Sequence, residues 1–124
     1  MPKAINVCMV GAGRVGKLHS GTLKRYLPGG DVVALVDKQP SMLKETGKEF
    51  GIENRYTSLE EALDKADFEA VVITTPTPTH MKLAVTAAEE GKHVFLEKPM
   101  AMDLEECDAI IDACQENGAL LQLG

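Results

Sequence analysis

The chain has 124 residues, 44% hydrophobic and 26% charged, with a formal net charge of −6 and a pI near 5.0. That is the size and balance of one folded domain over residues 1–124. The acidic excess argues against a nucleic-acid or anionic-membrane partner held by bulk electrostatics, but not against one phosphorylated ligand held locally. No apolar run approaches the ~20 residues of a membrane span, and no signal peptide opens the chain. Cys8, Cys107 and Cys114 have no metal-ligand spacing. A cytoplasmic protein with reduced cysteines and no metal site is expected.

The apolar pattern alternates between strand-like and helical periods along the chain. Residues 5–10 form a nearly continuous apolar run, as in a strand covered on both faces, and end in a glycine cluster. From Arg14 to Leu27 the period is helical, with Val15, Leu18, Leu23 and Leu27 predicted to face inward and Pro28-Gly29-Gly30 to stop the helix. Residues 32–36 are the second strand, closed by Asp37. A helix over 40–50 follows, with Pro40 in its first turn and Gly51 as its C-terminal cap; Gly47 in its interior is unfavourable. Residues 54–57 read as a short edge strand, and Ser58 with Glu61 as a capping box opening a brief helix to about Lys65.

Residues 69–74 are the fourth strand, after which Thr77 is predicted to cap a helix with Pro78 at its first position. Met81, Ala84, Val85 and Ala88 make its inward stripe and Gly91 ends it. Residues 93–96 are the fifth strand. Asp103, with Glu106 three residues on, opens the last helix, with Leu104, Cys107, Ile111 and Cys114 on one face and Gly118 as its cap. Residues 119–123 complete a sixth strand. Strands and helices alternating at this spacing predict an α/β fold with a doubly wound, mostly parallel six-stranded sheet of order 3-2-1-4-5-6, the Rossmann arrangement.

Four places carry candidate chemistry. Gly11-Ala12-Gly13-Arg14-Val15-Gly16 follows a strand and opens a helix, the context that gives a GxGxxG pattern meaning. Gly11 permits the turn, Gly13 lets a pyrophosphate approach the backbone, and Gly16 lets the helix pack on the sheet. The exposed N–H groups and the helix dipole then hold the phosphates. Asp37, at the end of the second strand, stands where an acid accepts from the adenosine ribose hydroxyls, so NAD is favoured over NADP; Lys38 beside it softens that choice. The loop Thr74-Thr75-Pro76-Thr77-Pro78-Thr79-His80 leaves the fourth strand at the crossing point of the two halves, where it can line a cofactor or serve only as a turn and helix cap. In Glu97-Lys98-Pro99, the lysine can donate to a substrate hydroxyl or relay its proton; on the tripeptide alone a surface lysine paired with Glu97 is the better reading. His19 and His93 read as packing or surface residues, and Cys107 and Cys114 as core.

Together these motifs resemble the glucose–fructose oxidoreductase, inositol dehydrogenase and rhizopine catabolism protein family (Gfo/Idh/MocA) over essentially the whole chain. The resemblance rests on Gly11 to Gly16 followed by Lys17-Leu18-His19, on Asp37, on Thr75 to His80, and on Gly91 to Pro99. It implies oxidation of a secondary hydroxyl on a sugar or cyclitol, with hydride passing to NAD or NADP. It makes Lys98 the catalytic lysine, oriented by Glu97, with Thr75-Pro76 bordering the nicotinamide. Thr74, Thr77, His80 and Glu97 join the candidate cofactor residues. The family's other catalytic groups, substrate contacts and oligomer interface come from a second α/β domain that this sequence does not contain. The expectation is therefore the cofactor domain of a longer dehydrogenase. The rival is a stand-alone, non-catalytic dinucleotide-binding or regulatory module; a different reductase with the same cofactor fold fits the Thr-Pro loop less well.

Overall fold

The computed structural model describes residues 5–25 and 29–124. Six strands, β1 (Ile5–Val10), β2 (Gly30–Val36), β3 (Asn54–Tyr56), β4 (Ala70–Ile73), β5 (His93–Leu96) and β6 (Leu121–Leu123), form one sheet. Its order is β3-β2-β1-β4-β5-β6, and every pairing is parallel, as predicted. The order reverses between β1 and β4, so the chain leaves these neighbours in opposite directions at the carboxyl edge.

Side chains alternate across the pleat and feed two cores. Val7 and Met9 of β1 point to one face, where Leu43 and Ile52 cover them. Cys8 and Val10 point to the other, against Leu59, Ala84, Ala88 and Ile110. In β2 the alternation slips: Val33 and Ala34 both serve the second core. A register shift between Val7 and Cys8, where Val32 and then Ala34 are the partners, accommodates the extra residue as a bulge.

Five helices cover the sheet: α1 (Arg14–Arg25), α2 (Pro40–Phe50), α3 (Leu59–Lys65), α4 (His80–Glu89) and α5 (Leu104–Glu116). Their ends follow local chemistry. Pro40 stands in the first turn of α2, and Gly51 closes it at φ 68°. The side chain of Ser58 accepts from the Glu61 N–H at the start of α3, and Asp103 does the same from Glu106 at the start of α5.

Three helix details differ from the expected ones. On α1 the buried positions are Gly16 and Ser20, with Leu23 half-buried, while Val15 and Leu18 are 37% and 67% exposed. The helix sits so close to β1 that only small residues fit beneath its first two turns, which turns the apolar stripe outward; Leu27 and Pro28 lie outside the described residues. On α5 the inward face runs through Ile110, Ala113 and Cys114, with Cys107 half-buried and Leu104 82% exposed. The face is rotated because α5 docks on α4, whose Ala84, Ala87 and Ala88 offer a small-residue surface. Thr77 does not cap α4. Residues Thr77–Thr79 form a 3-10 turn, closed by the Thr79 hydroxyl donating to the Pro76 carbonyl at 2.6 Å, and α4 begins at His80.

Candidate cofactor site

At the carboxyl edge the strand ends leave a groove of about 620 Å³. Gly11, Gly13, Asp37, Lys38, Thr74, Thr75 and Pro76 line it, as the sequence suggests. So do Pro78 and Thr79 of the Thr74–His80 loop, and Gln39, Met42, Ser58, Leu59 and Lys82, which no cofactor motif marks. Ser58 carries only the cap of α3, and the other four only a position in the loop or first helical turn after a strand's carboxyl end.

The three glycines of the first turn have different reasons to be glycine. Gly11 adopts φ 111°, in the region L side chains rarely adopt. A Cβ on Gly16 would overlap the Gly11 carbonyl, so the helix packs directly on the turn. A Cβ on Gly13 would meet only the Met42 methyl, at 3.7 Å. Nothing among the described residues requires glycine at 13, and the space above it is open to the groove. The turn thus fits a pyrophosphate: its one unexplained glycine clears the backbone beside the N-terminus of α1, whose first N–H groups have no acceptor within the helix.

Ala12 is pinned from both sides. Its N–H donates to Asp37 Oδ2 at 2.9 Å, and its carbonyl accepts from the buried Thr46 hydroxyl at 2.8 Å. Asp37 Oδ1 accepts in turn from the Gln39 N–H at 2.9 Å. These bonds fix the half-buried carboxylate with lone pairs still available for a ribose hydroxyl. Thr74 anchors the floor, its hydroxyl donating to the carbonyls of Val10 and Gly11 at 3.2 Å each.

Arg14 and Val15 turn away from the groove. With Lys17, Leu18, Glu49 and Phe50 they line a separate shallow depression, and neither lines the main groove. Lys17 pairs there with Glu45 at 2.6 Å, and that hydrogen bond holds its ammonium above the ordinary lysine range.

The fifth strand delivers Glu97 and Lys98 to the same edge, and the Lys98–Pro99 peptide is cis. Glu97 does not pair with Lys98. Its Oε2 lies 3.2 Å from His19 Nε2, and the His19 ring meets Phe95 edge-on at 5.6 Å between centroids. His19, expected to be a packing or surface residue, is instead the partner of Glu97. Lys98 is exposed, and among the described residues its ammonium has no ion pair or hydrogen bond. His80 is 1% exposed and does not line the groove; its ring lies between the Thr75 carbonyl and those of Pro99 and Met100. His93 accepts the Leu120 N–H at 3.0 Å, which helps seat β6.

Among the described residues no cluster of three or more His, Cys, Asp or Glu could hold a metal ion, and no helix is long and apolar enough to cross a membrane. Burial pushes the Cys8 thiol up to about 12 and raises that of Cys114.

A glycine turn seated on a helix N-terminus, an acid ending the second strand and a topological switch between β1 and β4 define a dinucleotide-binding α/β domain. The model of the GFO_IDH_MocA oxidoreductase family, NAD-binding Rossmann fold, matches residues 5–124. The chain belongs to this family, as its NAD-binding domain.

The scyllo-inositol 2-dehydrogenase (NAD(+)) of Bacillus subtilis is 34% identical over 124 residues, 100% of this chain and 36% of that protein. The myo-inositol 2-dehydrogenase of Thermotoga maritima is 28% identical over 97% of this chain and 36% of its own length. Among solved structures, scyllo-inositol dehydrogenase from Lactobacillus casei, with bound NAD(H) and scyllo-inositol, superposes with a TM-score of 0.92 at 31% identity, covering 98% of this chain and 36% of that one. The WlbA dehydrogenase from Bordetella pertussis, in complex with NADH and UDP-GlcNAcA, gives 0.93 at 30% identity, covering 98% and 37%. The chain therefore spans about 36% of the length of the relatives it matches.

Proposed function

We propose that this chain is the cofactor-binding part of a longer cytoplasmic dehydrogenase that oxidises a secondary hydroxyl of a sugar or cyclitol, with NAD preferred to NADP. The backbone N–H groups at Gly13 and the start of α1 hold the pyrophosphate. The Asp37 carboxylate accepts from the adenosine ribose hydroxyls and repels a 2′-phosphate; Lys38 lies beside it. Thr74, Thr75, Pro76 and the turn at Thr77 border the nicotinamide end, which when bound supplies the hydride acceptor. Lys98 donates to the reacting hydroxyl and takes part in moving its proton, and Glu97, held by His19, sets the course of the chain beside it. The relatives named as inositol dehydrogenases support the substrate class.

One observation carries this reading: Lys98 stands exposed and unpaired at the carboxyl edge, with the neighbouring acid turned away to His19. The test is Lys98→Ala in the full-length protein. A general acid–base group contributes about 10²- to 10⁴-fold, so turnover should fall within that range while the NADH dissociation constant stays within about threefold. A fully active variant would refute the role.

A further inference from the structure

The candidate nicotinamide-end loop and the turn that carries Lys98 come from different strands, β4 and β5, and one side chain joins them. His80 is buried at the first position of α4. Its Nε2 lies 2.8 Å from the Thr75 carbonyl, and its Nδ1 lies 3.0 Å from the Pro99 carbonyl and 3.3 Å from that of Met100. A ring nitrogen facing a carbonyl engages it by donating a proton, so the imidazole can bind either loop, or both when doubly protonated. The Thr75 side is braced further by the Thr75 and Thr79 hydroxyls, 2.7 Å apart, and by Thr79 donating to the Pro76 carbonyl. Among the described residues no other side chain hydrogen-bonds the carbonyls of Thr75, Pro99 or Met100.

We propose that His80 is a positioning residue: by latching the Thr75 loop to the Pro99-Met100 segment, it sets the spacing between the nicotinamide seat and Lys98 without touching the cofactor. This rests on the placement of the nicotinamide given under the proposed function. It predicts a selective defect, because the pyrophosphate and adenosine contacts at Gly13 and Asp37 lie on other loops.

The selective readout is the affinity of the chain for NADH compared with ADP-ribose, which has the same phosphates and adenosine but no nicotinamide. In the wild type NADH should bind more tightly. In His80→Asn and His80→Ala the ADP-ribose affinity should stay within about twofold, while that for NADH falls about tenfold to meet it, roughly 1.4 kcal/mol. An unchanged NADH affinity, or equal losses for both ligands, would overturn the latch. Should neither variant fold, nitrogen-15 NMR of the wild-type ring decides. A His80 ring N–H protected from solvent exchange, with protection increasing when NADH but not ADP-ribose is added, supports the proposal. A freely exchanging ring, or equal effects of the two ligands, refutes it. A wild type that binds neither ligand refutes the placement of the cofactor itself, and so is distinguished from a failed latch.

Discussion

The Asp37 carboxylate accepts the N–H of Ala12 at 2.9 Å, so the acid at the end of β2 also shapes the glycine turn at the end of β1. Asp37 thereby braces the glycine turn, and on the proposed function the same carboxylate faces the ribose. Asp37→Ala should narrow the preference for NADH over NADPH and also weaken NADH binding. A hydrogen bond to a charged group is worth about 1.5–3 kcal/mol, so the NADH loss should be about tenfold or more. Parallel titrations of both dinucleotides check this; an undiminished preference would remove Asp37 from cofactor selection.

Thr46 holds the same residue from the other side, through the Ala12 carbonyl at 2.8 Å. Thr46→Val keeps the volume and deletes the bond, leaving a buried carbonyl unsatisfied. The expected cost is about 1–3 kcal/mol, read as a lower urea midpoint. Stability equal to the wild type would mean that the turn is held without it.

Gly13 and Gly16 should fail in different ways. Gly16→Ala drives a Cβ into the Gly11 carbonyl and should lower stability by about 1–3 kcal/mol or more. Gly13→Val meets little protein and should fold, yet it fills the space above the turn and should abolish NADH binding. Thermal unfolding and NADH titration on both variants separate the two roles; normal NADH binding by Gly13→Val would place the phosphates elsewhere.

Cys8 predicts an alkaline limit. Burial raises its thiol from 9.0 to about 12, so below pH 9 it is protonated in both folded and unfolded chains. Between those values the unfolded chain releases the proton and the folded chain does not, so stability falls as pH rises through that window. Cys8→Ala should lose less stability than the wild type between about pH 8 and about pH 10.5 in urea titrations; parallel losses would exclude the thiol.

Strand order and most helix ends were legible because they depend on local chemistry: nearly continuous apolar runs between helical periods, Ser58 and Asp103 as caps, Gly51 as a stop. The inward faces of α1 and α5 were not. They depend on how closely a helix docks, which Gly16 sets for α1 and the alanines of α4 set for α5. Gly47 looked like a defect in α2, yet it makes room for the Arg55 guanidinium, a partner that a one-dimensional reading does not show. At the site, the glycine turn, Asp37 and the Thr74–Pro76 stretch stood out through motif context. Thr46 and His19 did not, because each matters only through a partner at least 34 positions away in the chain.

The contact between His19 and Glu97 gives α1 a second use. On the proposed function the first turn of the helix presents the phosphate seat; five residues later, about 8 Å along its axis, His19 meets the acid beside Lys98. One rigid rod therefore ties the glycine turn to the turn that carries Lys98. A shift of that rod by the length of a single bond would move the helix start at the glycine turn and the anchor of Glu97 together.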